Sequence, residues 1–216
     1  MSLCRLQSRP CIHRARAATS SCVLGLLLLA VGPLVSPSQG SQSAAGSLIE
    51  SGVGSARGDG FYEMTPERQA LLNTIRYAEG TWKQGSAGYR TLYGGGRFSS
   101  LAKHPEVVVV KRYTSAAAGA YQFLPRTWRE AAEKLSLNSF NPRNQDQAAL
   151  YLVDRRGVLD QVDNQGLTRE VMSVLSKEWA SFPSSTGQSA YGQPVKKAAD
   201  LGAFYRDNLR ELRLQA

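Results

Sequence analysis

Glu79 is the residue from which a chemical reading of this sequence starts. It follows Leu71 and Ile75 at intervals of four, so on a helix the carboxyl lies along the same apolar row. Tyr77-Ala78-Glu79-Gly80 also places it in a last helical turn, where the backbone dipole is negative. Desolvation and the dipole both disfavour the carboxylate and favour the acid form. A carboxylic acid held protonated near neutral pH is what general-acid cleavage of a glycosidic bond requires. Downstream, Gly80 to Arg129 contains one acid, Glu106, against eight bases: Lys83, Arg90, Arg97, Lys103, Lys111, Arg112, Arg126 and Arg129. That imbalance beside a candidate acid suggests a cleft wall facing an anionic polymer. Within it, Tyr121-Gln122 follows Gly119-Ala120, and Tyr191-Gly192-Gln193 repeats the pairing near the C-terminus. An aromatic face suits the apolar side of a sugar, and an amide suits its hydroxyl and acetamido groups. Trp82, just beyond the helix stop, is a further candidate for lining the cleft.

The elements that must hold these residues are mostly helical. Thr65-Pro66-Glu67 provides an N-cap, a proline at the first helical position and an acid in the first turn, with Gly80 as the stop. A second helix starts near Pro125 and carries Trp128, Ala131, Ala132 and Leu135 on one face. Asn141-Pro142 opens a third, running to Gly157. Thr168 opens a fourth through Val171, Leu175 and Trp179, and Pro194 a last one through Leu212. Ala87 to Thr114, rich in glycine and β-branched residues, reads as a strand-and-loop lobe. The expected fold is α+β and mostly helical, with that small lobe inserted after the first helix.

All three cysteines, Cys4, Cys11 and Cys22, lie in the first 22 of 216 residues. Thiolate metal sites, a catalytic cysteine and a disulfide framework are therefore closed to the rest of the chain. Four arginines precede Cys22 to Val35, fourteen residues that are apolar apart from two glycines and a proline. A membrane span needs about 20 apolar residues, so the run fits a secretory segment better, with an uncleaved anchor as the alternative. Small residues from Ser38 to Ala45 mark the cleavage region. Residues 1–40 are accordingly read as a signal peptide, 41–60 as a flexible linker and 61–216 as the folded domain. Seven serines and six glycines between Ser36 and Gly60 support the linker reading.

Removing four arginines lowers the net charge from +9 to +5, which still favours an anionic partner. Export makes nucleic acid a poor candidate and a cell-wall polymer a good one, outside the cytoplasm in the periplasm or beyond. After removal of residues 1–40, His104 is the remaining histidine, and with Pro105 it reads as a structural turn. One histidine and no cysteine do not make a zinc site, so neither metal nor cofactor is expected. The domain is expected to be a monomer with no membrane span after cleavage.

Taken together, Tyr77-Ala78-Glu79-Gly80-Thr81, Gly88-Tyr89, Gly94-Gly95, His104-Pro105, Gly119-Ala120-Tyr121-Gln122, Gln145-Asp146, Arg156-Gly157, Trp179-Ala180-Ser181 and Tyr191-Gly192-Gln193 resemble the lambda-phage lysozyme family. The resemblance runs in order over nearly all of residues 67–209. It implies a lysozyme-like fold, a peptidoglycan glycan strand as substrate, and one essential glutamate that falls on Glu79. It further implies lytic transglycosylase chemistry in place of hydrolysis. The chain departs from the family at Arg90, where the phage enzyme carries an acid after the Gly-Tyr pair.

The residues bear on the same choice. Glycosidases ordinarily use two carboxylates about 5–9.5 Å apart. In the strand-and-loop lobe the available acid is Glu106, so a one-carboxylate mechanism becomes attractive, with the substrate's own 6-hydroxyl as nucleophile. A hydrolytic muramidase with a second carboxylate, and a non-catalytic wall-binding module, are the alternatives. The presence of Glu79 favours an enzyme over a module.

Overall fold

Thr65 and Pro66 open the first helix as their types dictate. The Thr65 hydroxyl accepts the Arg68 N–H, and Pro66, which has no N–H to lose, takes the first helical position of α1 (Pro66–Ala78). Leu71, Leu72 and Ile75 are fully buried, each worth about 1.5–3 kcal/mol relative to exposure. The computed structural model describes residues 62–189 and 195–215. The segments read as signal peptide, 1–40, and as linker, 41–60, and the pair Tyr191 and Gln193 lie outside the described residues.

Five more helices follow: α2 (Pro125–Lys134), α3 (Pro142–Arg155), α4 (Leu159–Gln165), α5 (Arg169–Leu175) and α6 (Ala198–Gln215). α3 starts as its sequence predicts, with the Asn141 side chain accepting the Asn144 N–H. α6 lies along α1. Asn73 donates to Asn208 across that contact, Tyr77 stacks on Phe204 at 4.3 Å, and Arg213 pairs with Glu67. Arg68, almost buried, holds Asp163 of α4 through both Nε and Nη2.

Two expectations are corrected. α5 ends at Leu175, so Trp179 sits in the turn after the helix, although it is buried as its spacing predicts. α4 has no counterpart in the expected helices: its seven residues carry no side-chain cap. The inserted lobe is present, but strand occupies little of it. Two 3-10 segments, Trp82–Arg90 and Tyr93–Gly95, and irregular backbone make up most of its length. Its sheet is one antiparallel pair, β1 (Val109–Val110) and β2 (Thr114–Ser115), with Val110 opposite Thr114. The architecture is a mostly helical α+β fold with a small lobe after the first helix.

Candidate active site

α1 ends in a geometry that fixes its last residue. Gly80 adopts φ +77°, the left-handed conformation that L side chains disfavour. The Gly80 N–H bonds to the Tyr77 carbonyl and the Thr81 N–H reaches back to that of Arg76. These two bonds form a Schellman closure and leave Glu79 as the capping residue, its own N–H on the Ile75 carbonyl. The Thr81 hydroxyl then donates to the Ala120 carbonyl at 2.6 Å. One turn thus both stops the helix and ties it to the Gly119–Gln122 loop.

That loop is held from a second side. Gln145, fully buried on α3, accepts the Ala120 N–H through Oε1 and donates through Nε2 to the Tyr89 and Phe140 carbonyls. Each polar atom of a buried amide is thereby paired, as a dry interior requires. Gly119, at φ +81°, lies so close that a Cβ there would stand 2.3 Å from Gln145 Oε1. A third tie comes from Trp179, whose indole N–H donates to the Tyr121 carbonyl at 3.1 Å. Segments 79–81, 119–122 and 179–181 therefore converge from three distant parts of the chain.

Ser181 completes the convergence. Its hydroxyl donates to Glu79 Oε1 at 2.6 Å. Burial drives the Glu79 pKa up to about 7, with the Ser181 hydrogen bond pulling in the opposite direction. The carboxyl is thus divided between acid and base forms near neutrality, as a group that must first give and later take a proton requires.

The other acids have different environments. Glu106 is exposed and faces Arg129 on α2 at 3.8 Å. Asp146 accepts the hydroxyls of both Tyr89 and Tyr121 on one oxygen, Oδ1, and burial raises its pKa. Early in α3, it is thus the anchor of two tyrosines. Tyr121 is correspondingly 0% exposed, so the reading of its ring as a platform for sugar is corrected: no face of it is open.

Gln122 remains at the surface of the loop. Its φ of +50° is unusual for a side chain of this kind, and its amide donates to the Gly119 carbonyl at 2.9 Å. Strained backbone of this sort clusters where function over-determines it. Trp82 is half-buried and meets Phe204 edge-on at 5.6 Å. Arg76 lies beneath it, 5.2 Å from the Trp82 ring and 4.7 Å from that of Tyr89, with Nη2 donating to the Gly85 carbonyl. His104 is buried. Its Nδ1 accepts the Glu106 N–H, so Nε2 carries the proton and donates to the Phe123 carbonyl. Burial depresses its pKa, which fits a neutral structural staple. Among the described residues no three His, Cys, Asp or Glu side chains gather as a metal site would need.

Sequence reasoning did not single out Ser181 as a site residue, although the Trp179-Ala180-Ser181 motif contains it. Nothing local marks a serine whose partner lies 102 residues away.

Comparisons with known proteins place the chain in a family. The family model described as Endolysin matches residues 69–212. The endolysin of Escherichia phage lambda is 33% identical over 151 residues, covering 67% of this chain and 92% of its own. The endolysin of Escherichia phage P2 is 33% identical over 92 residues, 43% of this chain and 53% of its own. Bacteriophage lambda lysozyme complexed with a chitohexasaccharide superposes with a TM-score of 0.62 at 32% identity, over 68% of this chain and 96% of that one. A further structure of the lambda enzyme gives a TM-score of 0.60 at 30% identity, with the same coverage. The chain belongs to the endolysin family and is a peptidoglycan-cleaving glycosidase of lysozyme-like fold.

Proposed function

We propose that the protein cleaves the β-1,4 bond between N-acetylmuramic acid and N-acetylglucosamine as a lytic transglycosylase, with Glu79 as acid and then as base. The observation that carries this reading is the Glu79 carboxyl itself, raised to a pKa of about 7 and partnered by a serine hydroxyl in place of a second carboxylate. Protonated Glu79 gives its proton to the glycosidic oxygen, and the bond from that oxygen to the muramic C1 breaks. The muramic acetamido oxygen stabilises the cationic C1. Glu79, now a carboxylate, takes the proton of the same sugar's 6-hydroxyl as O6 bonds to C1, which closes a 1,6-anhydro ring. No water is consumed, and Glu79 ends protonated for the next turnover.

The environments of the other acids support the same choice. A base for hydrolysis must activate a water beside the sugar. Glu106 is turned to Arg129, and the Asp146 oxygen Oδ1 is engaged by two tyrosines. Trp82, Gln122, Tyr191 and Gln193 are the residues proposed to bind glycan. The Gln122 amide nitrogen donates to the Gly119 and Thr91 carbonyls, so Oε1 is its group for a substrate N–H. The chitohexasaccharide held by the lambda enzyme supports a glycan strand as ligand here. The apolar segment Cys22 to Val35 supports an exported site of action.

Glu79→Gln tests the assignment. The amide is nearly isosteric but has no acidic proton to donate, and general acid–base catalysis contributes about 10²–10⁴-fold. Lysis of purified walls should fall at least about a hundredfold, with the circular dichroism spectrum unchanged. A folded Glu79→Gln protein that still lyses walls at the parental rate would end the proposal.

A further inference from the structure

The segment Trp82–Arg90 leaves the end of α1 and comes back to it. Gly88 returns so close that a Cβ there would stand 2.6 Å from the Thr81 carbonyl oxygen. One side chain lies against the loop at three points. The Arg76 guanidinium is 5.2 Å from the Trp82 ring at its start and 4.7 Å from the Tyr89 ring near its end. Midway, where Gly85 turns the backbone at φ +58°, the Gly85 carbonyl accepts from Arg76 Nη2 at 2.7 Å. Arg76 is 7% exposed, and its Nε has no hydrogen-bond partner among the described residues. No acid among them forms an ion pair with it.

A charge in such a place works against stability. Burial strips the guanidinium of water, and two rings and one carbonyl offset only part of that loss. An unbranched apolar side chain would fill the space without it. What the guanidinium supplies and an apolar chain does not is orientation. Its plane stacks on aromatic faces and its N–H groups form a rigid fork, so a ring laid against it is held in one pose. Trp82, three residues past Glu79, is the ring that gains. Half-buried, it rests on Arg76 and meets Phe204 of α6 edge-on at 5.6 Å. Tyr89, the second ring on Arg76, donates to Asp146, which also holds Tyr121 next to Gln122. The glycan contacts proposed at Trp82 and Gln122 are thus braced by connected side chains.

We propose that Arg76 is a positioning residue for glycan binding, holding the Trp82 indole in the pose in which its exposed part meets the sugar. Arg76 acts through Trp82 and takes no part in proton transfer at Glu79. The inference rests on the reading of Trp82 as a glycan contact. It is independent of whether ring closure or water attack ends the reaction.

The test is the KM of the full chain for soluble, uncross-linked peptidoglycan strands, with kcat and its pH profile measured alongside. Arg76→Met keeps an unbranched side chain and removes the plane, the charge and the donors. KM should rise about fivefold or more, the scale on which a desolvated cation–π contact acts, with a smaller change in kcat. The alkaline limb of the pH–rate profile should stay where the parent has it. Arg76→Lys keeps the charge but has no plane to lay on a ring, and KM should still rise about twofold or more. Trp82→Ala should raise KM as far as Arg76→Met does. Adding Arg76→Met to Trp82→Ala should change KM by less than about twofold, because the brace then has nothing to hold. A parental KM in folded Arg76→Met would overturn the inference, and where that variant does not fold, a parental KM in Arg76→Lys would do so. A rise that multiplies with that of Trp82→Ala would overturn it too, as would a fall in kcat with a shifted alkaline limb, which would place Arg76 in the setting of Glu79. A parental KM in Trp82→Ala would overturn the reading of Trp82 and the inference with it, while leaving the role of Glu79 to its own test.

Discussion

The hydroxyl of Ser181 donates to Glu79 Oε1 at 2.6 Å, joining the end of the first helix to a turn 102 residues later in the chain. A hydroxyl that donates to a carboxylate stabilises its charged form and opposes the burial that raises its pKa. The pair therefore sets the Glu79 pKa near neutrality, where the acid and base roles proposed for it are both accessible.

Ser181→Ala should move that balance in a defined direction. Without the donor, the carboxyl pKa rises above about 7, and the alkaline limb of the pH–rate profile shifts upward with it. A hydrogen bond to a charged group is worth about 1.5–3 kcal/mol, so kcat at neutral pH should fall about tenfold or more. Ser181→Thr, which keeps the hydroxyl, should recover most of the loss. A merely structural serine would lower activity with the pH profile unmoved.

The raised pKa has a consequence for folding. The folded state holds the Glu79 proton up to about pH 7, whereas an unfolded glutamate releases it near 4.5. Between those values the folded state binds more protons, so this group's contribution to stability declines as pH rises and then levels off. Glu79→Gln removes that decline. The variant and parent should be equally stable at pH 4, and at pH 8 the variant should be more stable by up to about 3 kcal/mol. Denaturant titrations at the two pH values measure it; equal stability at both would place Glu79 in water.

Much of this site was legible in the residues. Glu79 declared itself because apolar spacing and a glycine stop are local signals, and the Thr65 and Asn141 caps were equally local. Tyr121 misled because a sequence shows that a ring can stack, not whether its faces are open; here they are closed and its hydroxyl is on Asp146. The Val107 to Val110 run announced strand by type, but the short partner segment Thr114–Ser115 limits pairing to two residues on each side. α4 escaped because a seven-residue helix without a side-chain cap carries too little periodic signal. Ser181 and Gln145 act across long stretches of chain, and no local pattern encodes such a contact.

Gly119 shows how tightly the Gly119–Gln122 loop is set. Gly119→Ala would bring a methyl within 2.3 Å of Gln145 Oε1 and 2.8 Å of Phe140 Cζ, at a backbone angle alanine disfavours. Overpacking and strain together should cost about 2–4 kcal/mol, read as a lowered denaturation midpoint. The displaced loop should also weaken wall lysis by more than the stability loss explains. A variant as stable as the parent would mean that Gln145 can move aside without cost.

The products of cleavage test the central claim most directly. Mass spectrometry of fragments released from purified peptidoglycan by the parental protein distinguishes ring closure from water attack, because the two differ by one water per cut. With Glu79 taking the 6-hydroxyl proton, the muramic ends should be 1,6-anhydro and lighter by that water. Reducing muramic ends throughout, from the first products onward, would contradict the account and require a second group that activates water.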